Sequence, residues 1–136
     1  MNDEQYMRRA LELAKRAQDE GEVPIGAVLV LQGEIIGEGW NRPIAASDPT
    51  AHAEIQAMRA AALARKNYRL TGASLYVTLE PCEMCVGAMF HARIARAVYG
   101  ATDPKKQVLK NQVVLQGGVL AAECGSILSS FFAAKR

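Results

Sequence analysis

Apolar positions recur every three or four residues near the start of the chain. Tyr6, Ala10, Leu13, Ala14 and Ala17 fall on one face and predict a helix over 3–19, stopped at Gly21. The pattern then changes. Ile25–Leu31 is nearly continuous apolar, and Glu34–Gly39 follows after Gln32-Gly33, which predicts a β-hairpin. Gly39–Pro49 reads as a loop punctuated by Asn41, Pro43, Ser47 and Asp48. Thr50 can cap a second helix whose buried stripe is Ala51, Ile55, Met58 and Ala62. Ala73–Thr78 is a third strand, closed by the extended geometry that Pro81 imposes on its neighbour. A short helix opens near Cys82 and runs to about His91. Ile94–Tyr99 is a fourth strand, and Val113–Leu115 a short fifth. Leu120, Cys124, Ile127, Leu128 and Phe131 mark an amphipathic last helix.

Strands alternating with helices predict an α/β fold, a mostly parallel sheet with helices on both faces. In such sheets sites form beyond strand ends, where loops meet helix N-termini. The 136 residues fit one domain, and no repeat or linker divides them. Half the residues are apolar and 22% charged, which excludes a disordered chain. A net charge of +2 neither demands nor forbids a nucleic-acid partner. No apolar run is long enough to cross a membrane. The polar, acidic start does not resemble a secretory signal, and three cysteines do not pair evenly, so a reducing cytoplasm is the expected compartment.

Chemistry concentrates in two segments. His52-Ala53-Glu54 is followed, after 26 residues, by Pro81-Cys82-Glu83-Met84-Cys85. One imidazole and two thiolates suit zinc and leave its fourth position open, as in catalytic sites. Cys82 and Cys85, three apart at a helix start, share a face, and a helix N-terminus favours thiolate. Glu54 can move a proton between a water and a substrate nitrogen. The alternatives are weaker. A redox C-x-x-C pair carries no upstream H-x-E. A structural zinc site would need a fourth protein ligand. Cys124 falls on the apolar stripe of the last helix and reads as a small buried hydrophobe. His91 reads as a surface or capping residue.

This H-x-E with P-C-x-x-C resembles the signature of the zinc-dependent nucleoside and nucleobase deaminases, whose mechanism is established for the class. Further segments, among them Glu22–Val28, Gly39–Pro43, Asp48–Glu54, Asn67–Leu70 and Tyr76–Cys82, resemble the bacterial tRNA-specific adenosine deaminases. The likeness runs over roughly residues 5–104 and resumes in the last helix.

The resemblance implies a three-layer α/β/α cytidine-deaminase-like fold with a central five-stranded mixed sheet. It implies one zinc ion per chain on His52, Cys82 and Cys85, with Glu54 as proton shuttle. It implies hydrolysis of adenosine to inosine in a tRNA anticodon arm, by a homodimer. Asn41 would hydrogen-bond the flipped base, Val23 would pack on it, and the Ala53 N–H would help hold its carbonyl-side edge. Candidate phosphate contacts are Arg42, Arg69, Lys105, Lys106 and Lys110. Asp103 matches a loop that approaches the nucleic-acid backbone. Of Phe131 and Phe132, the second is freer to touch RNA. The third helix offers Val86, Met89 and Phe90 to a partner or to the core. The segment near 104–111 departs from the family by being about a dozen residues shorter. Zinc chemistry is common to several reactions, so deamination of cytosine, guanine or adenine in single-stranded DNA is the alternative. A zinc-stabilised RNA-binding module is the non-enzymatic one, and the intact Glu54 speaks against it.

Overall fold

A computed structural model describes residues 1–104 and 113–135. The first helix, α1, spans Asp3–Asp19 as its period requires. Asn2 and Gln5 close a capping box at its start. Two strands follow, β1 (Gly26–Leu31) and β2 (Glu34–Trp40). Gln32 and Gly33 join them with φ of 51° and 79°, the doubly left-handed turn that matches strand twist. A one-turn helix, α2 (Pro43–Ala46), interrupts the expected loop. Then come α3 (Ala53–Arg65), β3 (Ser74–Leu79), α4 (Glu83–His91), β4 (Arg96–Ala101), β5 (Val114–Gln116) and α5 (Ala121–Ala134).

The sheet order is β2-β1-β3-β4-β5. β1 is antiparallel to both β2 and β3, while β3, β4 and β5 run parallel. The sheet is therefore mixed, as the resemblance implies, while the mostly parallel arrangement expected from strand–helix alternation alone is corrected at β1. The hairpin lays β2 on the edge, and the α3 crossover carries the chain over β1 to β3. β1 lies between two strands that run against it.

Side chains alternate between two cores. Ala27 and Leu29 of β1, Leu75 and Val77 of β3 and Ala97 of β4 face α3 and α4. Val28, Val30, Tyr76 and Val98 face α1 and Cys124 of α5. The result is three layers, helix–sheet–helix.

α3 lies unusually close to β2. A Cβ at Gly39 would stand 2.5 Å from the Ala57 nitrogen, and one at Gly37 would stand 2.8 Å from the Ala61 Cβ. These bare positions let the helix backbone settle onto the strand. They also correct the expected stripe. Ala53, Glu54, Ala57, Met58 and Ala61 are the buried positions of α3, not Ile55 and Ala62. Thr50 does not cap it either. Its hydroxyl donates to Asp48 Oδ1 at 2.7 Å, and His52 occupies the N-cap. Val86 and Met89 of α4 belong to the core, while Phe90 is 43% exposed. No described helix is long and apolar enough to cross a membrane.

Candidate metal and active site

α3 and α4 begin side by side, each with a metal-binding residue type at its N-cap. His52 occupies the N-cap position of α3 and Cys82 that of α4, neither making a side-chain capping bond, and Cys85 follows one turn into α4. The Nδ1 of His52 is 3.6 Å from Cys82 Sγ and 3.6 Å from Cys85 Sγ. One donor atom from each of the three lies within 4.8 Å of the other two. Zinc bonds of about 2.3 Å to sulfur and about 2.0 Å to nitrogen, at the tetrahedral angle, set an N···S separation near 3.6 Å. The donor set therefore fits zinc in chemistry and in spacing.

The two thiols share a proton unevenly. A hydrogen bond from Cys85, supported by His52, pulls Cys82 down to about 3, despite its partial burial. Cys85 is pushed up by the same shared bond, by burial and by the neighbouring Glu54 carboxylate. Cys82 is thus the ready thiolate and Cys85 the protonated partner. Glu54 is 4% exposed and sits in the first turn of α3. A helix N-terminus stabilises a carboxylate there.

Asn41, just past β2, is 7% exposed. Its Oδ1 accepts from the Ala53 N–H at 3.0 Å. This is the same Ala53 N–H that the resemblance assigns to the edge of a base. The same bond ties the end of β2 to the start of α3. Val23 is half-buried in the turn before β1, where its carbonyl accepts from Ile25 N. Arg42 packs beside Trp40 with its Nε 3.4 Å from Glu20 Oε1. Asp103 follows β4, and Phe132 is 47% exposed on α5, edge-on to buried Phe131. Arg69 is exposed and donates to the Tyr68 hydroxyl. Lys105, Lys106 and Lys110, and all of the short segment beyond Pro104, lie outside the described residues. Cys124 is wholly buried against β4, apart from the His52–Cys82–Cys85 group, and His91 is exposed at the end of α4.

Two buried acids escaped the sequence reading. Glu22, 2% exposed, accepts from Ile44 N and Ala45 N and so holds α2 beneath the Asn41–Arg42 stretch. Pro43 followed by Ile44-Ala45-Ala46 was the available signal for that helix start. Glu80, 6% exposed, precedes Pro81 and Cys82. Its N–H donates to Ala101 O, and its Oε1 accepts from Asp103 N at 2.9 Å. It joins the Cys82 loop to the loop that carries Asp103. No local pattern marks either acid, because each partner comes from a distant segment.

Residues 1–101 match the cytidine and deoxycytidylate deaminase zinc-binding region. The chain is 50% identical to the tRNA-specific adenosine deaminase of Haemophilus influenzae, covering 98% of this chain and 85% of that one. That alignment spans 147 positions against the 136 residues here, so the relative carries additional residues within the shared region. A solved structure from work on A-to-I editing by tRNA:A34 deaminases at the wobble position superposes with a TM-score of 0.85. It shares 43% identity over 91% of this chain and 99% of that one. Guanine deaminase from Bacillus subtilis shares 42% identity, with a TM-score of 0.71, over 75% of this chain and 66% of that one. With its motif, its three-layer fold and its clustered imidazole and thiols, the chain belongs to the zinc-dependent cytidine and deoxycytidylate deaminase family.

Proposed function

We propose that this protein hydrolyses the 6-amino group of adenosine to give inosine and ammonia, at the wobble position of a tRNA anticodon loop. The observation that carries the reading is the buried Glu54 carboxylate, held in the first turn of α3 beside a zinc-type donor set. Relatives and a structural neighbour with this activity in their names match nearly the whole chain.

His52, Cys82 and Cys85 would hold the zinc. Bound there, zinc supplies a water acidic enough to lose its proton near neutral pH. Glu54 accepts that proton and delivers it to the departing nitrogen, so one carboxylate serves as base and then acid. Burial keeps bulk water from competing for it. Asn41 Nδ2, from which no described residue accepts, faces no rival for a base acceptor. Val23 would pack on the base. Arg42, Asp103 and Phe132 would contact the flanking nucleotides. RNA loops are read by such splayed bases and a few backbone contacts, which suits a chain of net charge +2.

We also propose a homodimer working in the cytoplasm. Between α3 and α4 lies an apolar groove of about 400 Å³ lined by Ile55, Met58, Ala62 and Leu70. Tyr68, which also lines the groove, stands 65% exposed. A second copy would cover a surface that is costly to leave in water.

The test is incubation of the zinc form with an anticodon stem-loop, free nucleosides, guanine and single-stranded DNA. Inosine in the stem-loop is the expected product. Xanthine from guanine, or uracil from cytosine, with no inosine, overturns the reading.

A further inference from the structure

We propose that Asn41 is a positioning residue for the metal site, acting through the first turn of α3. A helix leaves its first backbone N–H groups without intrahelical acceptors. The N-cap side chain ordinarily supplies one. In α3 that residue is His52, and its side chain makes no capping hydrogen bond. The imidazole is turned instead towards Cys82 and Cys85, 3.6 Å from each sulfur. A histidine that caps its own helix cannot reach the thiols with the same group. A residue from outside the helix instead supplies an acceptor to the Ala53 N–H, one position before the N–H groups that an N-cap side chain serves.

Asn41 provides it. Its Oδ1 accepts from Ala53 N, the first residue of α3, at 3.0 Å in a buried setting. Asn41 is itself fixed. Its N–H donates to Ile25 O of the segment entering β1, and the next residue, Arg42, donates to Ala51 O at 2.9 Å. The start of α3 is thereby pinned on both sides of His52. Ala53 lies between His52 and Glu54, so the bond governs where both side chains begin.

The two ends of one amide then have separate duties. Oδ1 holds the helix that presents His52 and Glu54. Nδ2 has no acceptor among the described residues and is left for a ligand. The inference rests on the reading that His52, Cys82 and Cys85 bind zinc, and it assigns to Asn41 an effect on that site before any substrate arrives.

Asn41→Ala and Asn41→Asp separate these duties. Asp keeps an acceptor oxygen and lacks the amide donor. Three readouts need no substrate: zinc affinity by chelator competition, the visible spectrum of the cobalt-substituted protein, and exchange of the Ala53 amide in the metal-free protein. Residues that orient metal ligands change metal affinity by about 10- to 100-fold when lost. Asn41→Ala is expected to weaken zinc by about tenfold or more, alter the cobalt spectrum and speed Ala53 exchange. Asn41→Asp is expected to restore all three while still failing to restore deamination. Wild-type zinc affinity and cobalt spectrum in Asn41→Ala, with deamination lost, overturn the proposal and leave Asn41 as a substrate contact alone. Equal weakening in both variants also overturns it. If Asn41→Ala does not fold, Asn41→Asp decides: wild-type affinity supports the proposal, and a tenfold loss overturns it. Zinc binding left unchanged by Cys85→Ser marks the different failure, that of the zinc site itself.

Discussion

The Cys124 thiol of α5 lies directly over Gly100 of β4. A Cβ at position 100 would collide with that sulfur and stand 2.8 Å from the Cys124 Cβ. Burial pushes this thiol up to about 12, so it stays neutral and serves as packing. Gly100→Ala is expected to cost about 1–3 kcal/mol in urea unfolding, the range for overfilling a packed core. Pairing it with Cys124→Ala should recover part of the loss. A double variant whose losses simply add would refute the contact. Cys124→Ser should leave zinc stoichiometry unchanged.

Asp3 links α1 to the sheet. The Tyr76 hydroxyl donates to its Oδ1 at 2.6 Å, and Arg96 Nη2 to its Oδ2 at 2.8 Å. The Tyr76 bond, followed by the Arg96 bond and charge, holds the Asp3 carboxyl below its ordinary 3.8. Burial, then the bond to Asp3, raises the Tyr76 hydroxyl above its ordinary 10. A lowered acid stabilises the fold above its unfolded value and loses that effect as pH falls. A raised phenol stabilises below its unfolded value and loses that effect as pH rises. Asp3→Ala should therefore cost most between these limits, and only about 1 kcal/mol, because the carboxylate is partly exposed. The gap from wild type should close as pH falls below the ordinary carboxylate range. A gap independent of pH in thermal melts would count against the assignment.

Glu54→Gln should retain one zinc per chain and lose about 10²- to 10⁴-fold in turnover, the usual worth of a general acid–base group. Metal analysis beside single-turnover deamination of a stem-loop checks this. Full activity would remove Glu54 from the mechanism.

Zinc uptake should release a proton from the Cys82–Cys85 pair. The bond between the two thiols lowers Cys82 and raises Cys85, so the pair shares one proton. A bound thiol must be deprotonated, so apparent zinc affinity should rise as pH rises, by about tenfold per unit for one proton. Calorimetry in buffers of different ionisation enthalpy counts the protons. An affinity flat between pH 6 and pH 8 would show that both thiols start ionised.

The metal-type cluster was legible from sequence because its chemistry depends on residue type and close spacing. His52, Cys82 and Cys85 could be read together without knowing the fold. α1 was legible to the residue because one helix face and one stop decide it. α3 was not. Its start depends on Asp48 claiming the Thr50 hydroxyl and on Asn41 reaching Ala53 from the end of β2. Its buried face depends on Gly37 and Gly39 lying under it. These are contacts between segments, and no periodicity within α3 contains them. The same holds for Glu22 and Glu80, whose acceptor oxygens serve backbones about 20 residues away. The β1–β2 hairpin was legible, but the antiparallel pairing of β1 with β3 was not, because alternation of strands and helices does not say beside which strand of a hairpin the next one docks.

The open edge at β2 also limits how copies can assemble. Glu34 stands exposed there, Glu38 is paired with Arg9 of α1, and the register slips opposite Leu29 and Val30. A charged, irregular rim is a poor template for another strand. At this edge another copy's strand finds no regular ladder to extend, so self-association through β2 is disfavoured relative to the helical layers.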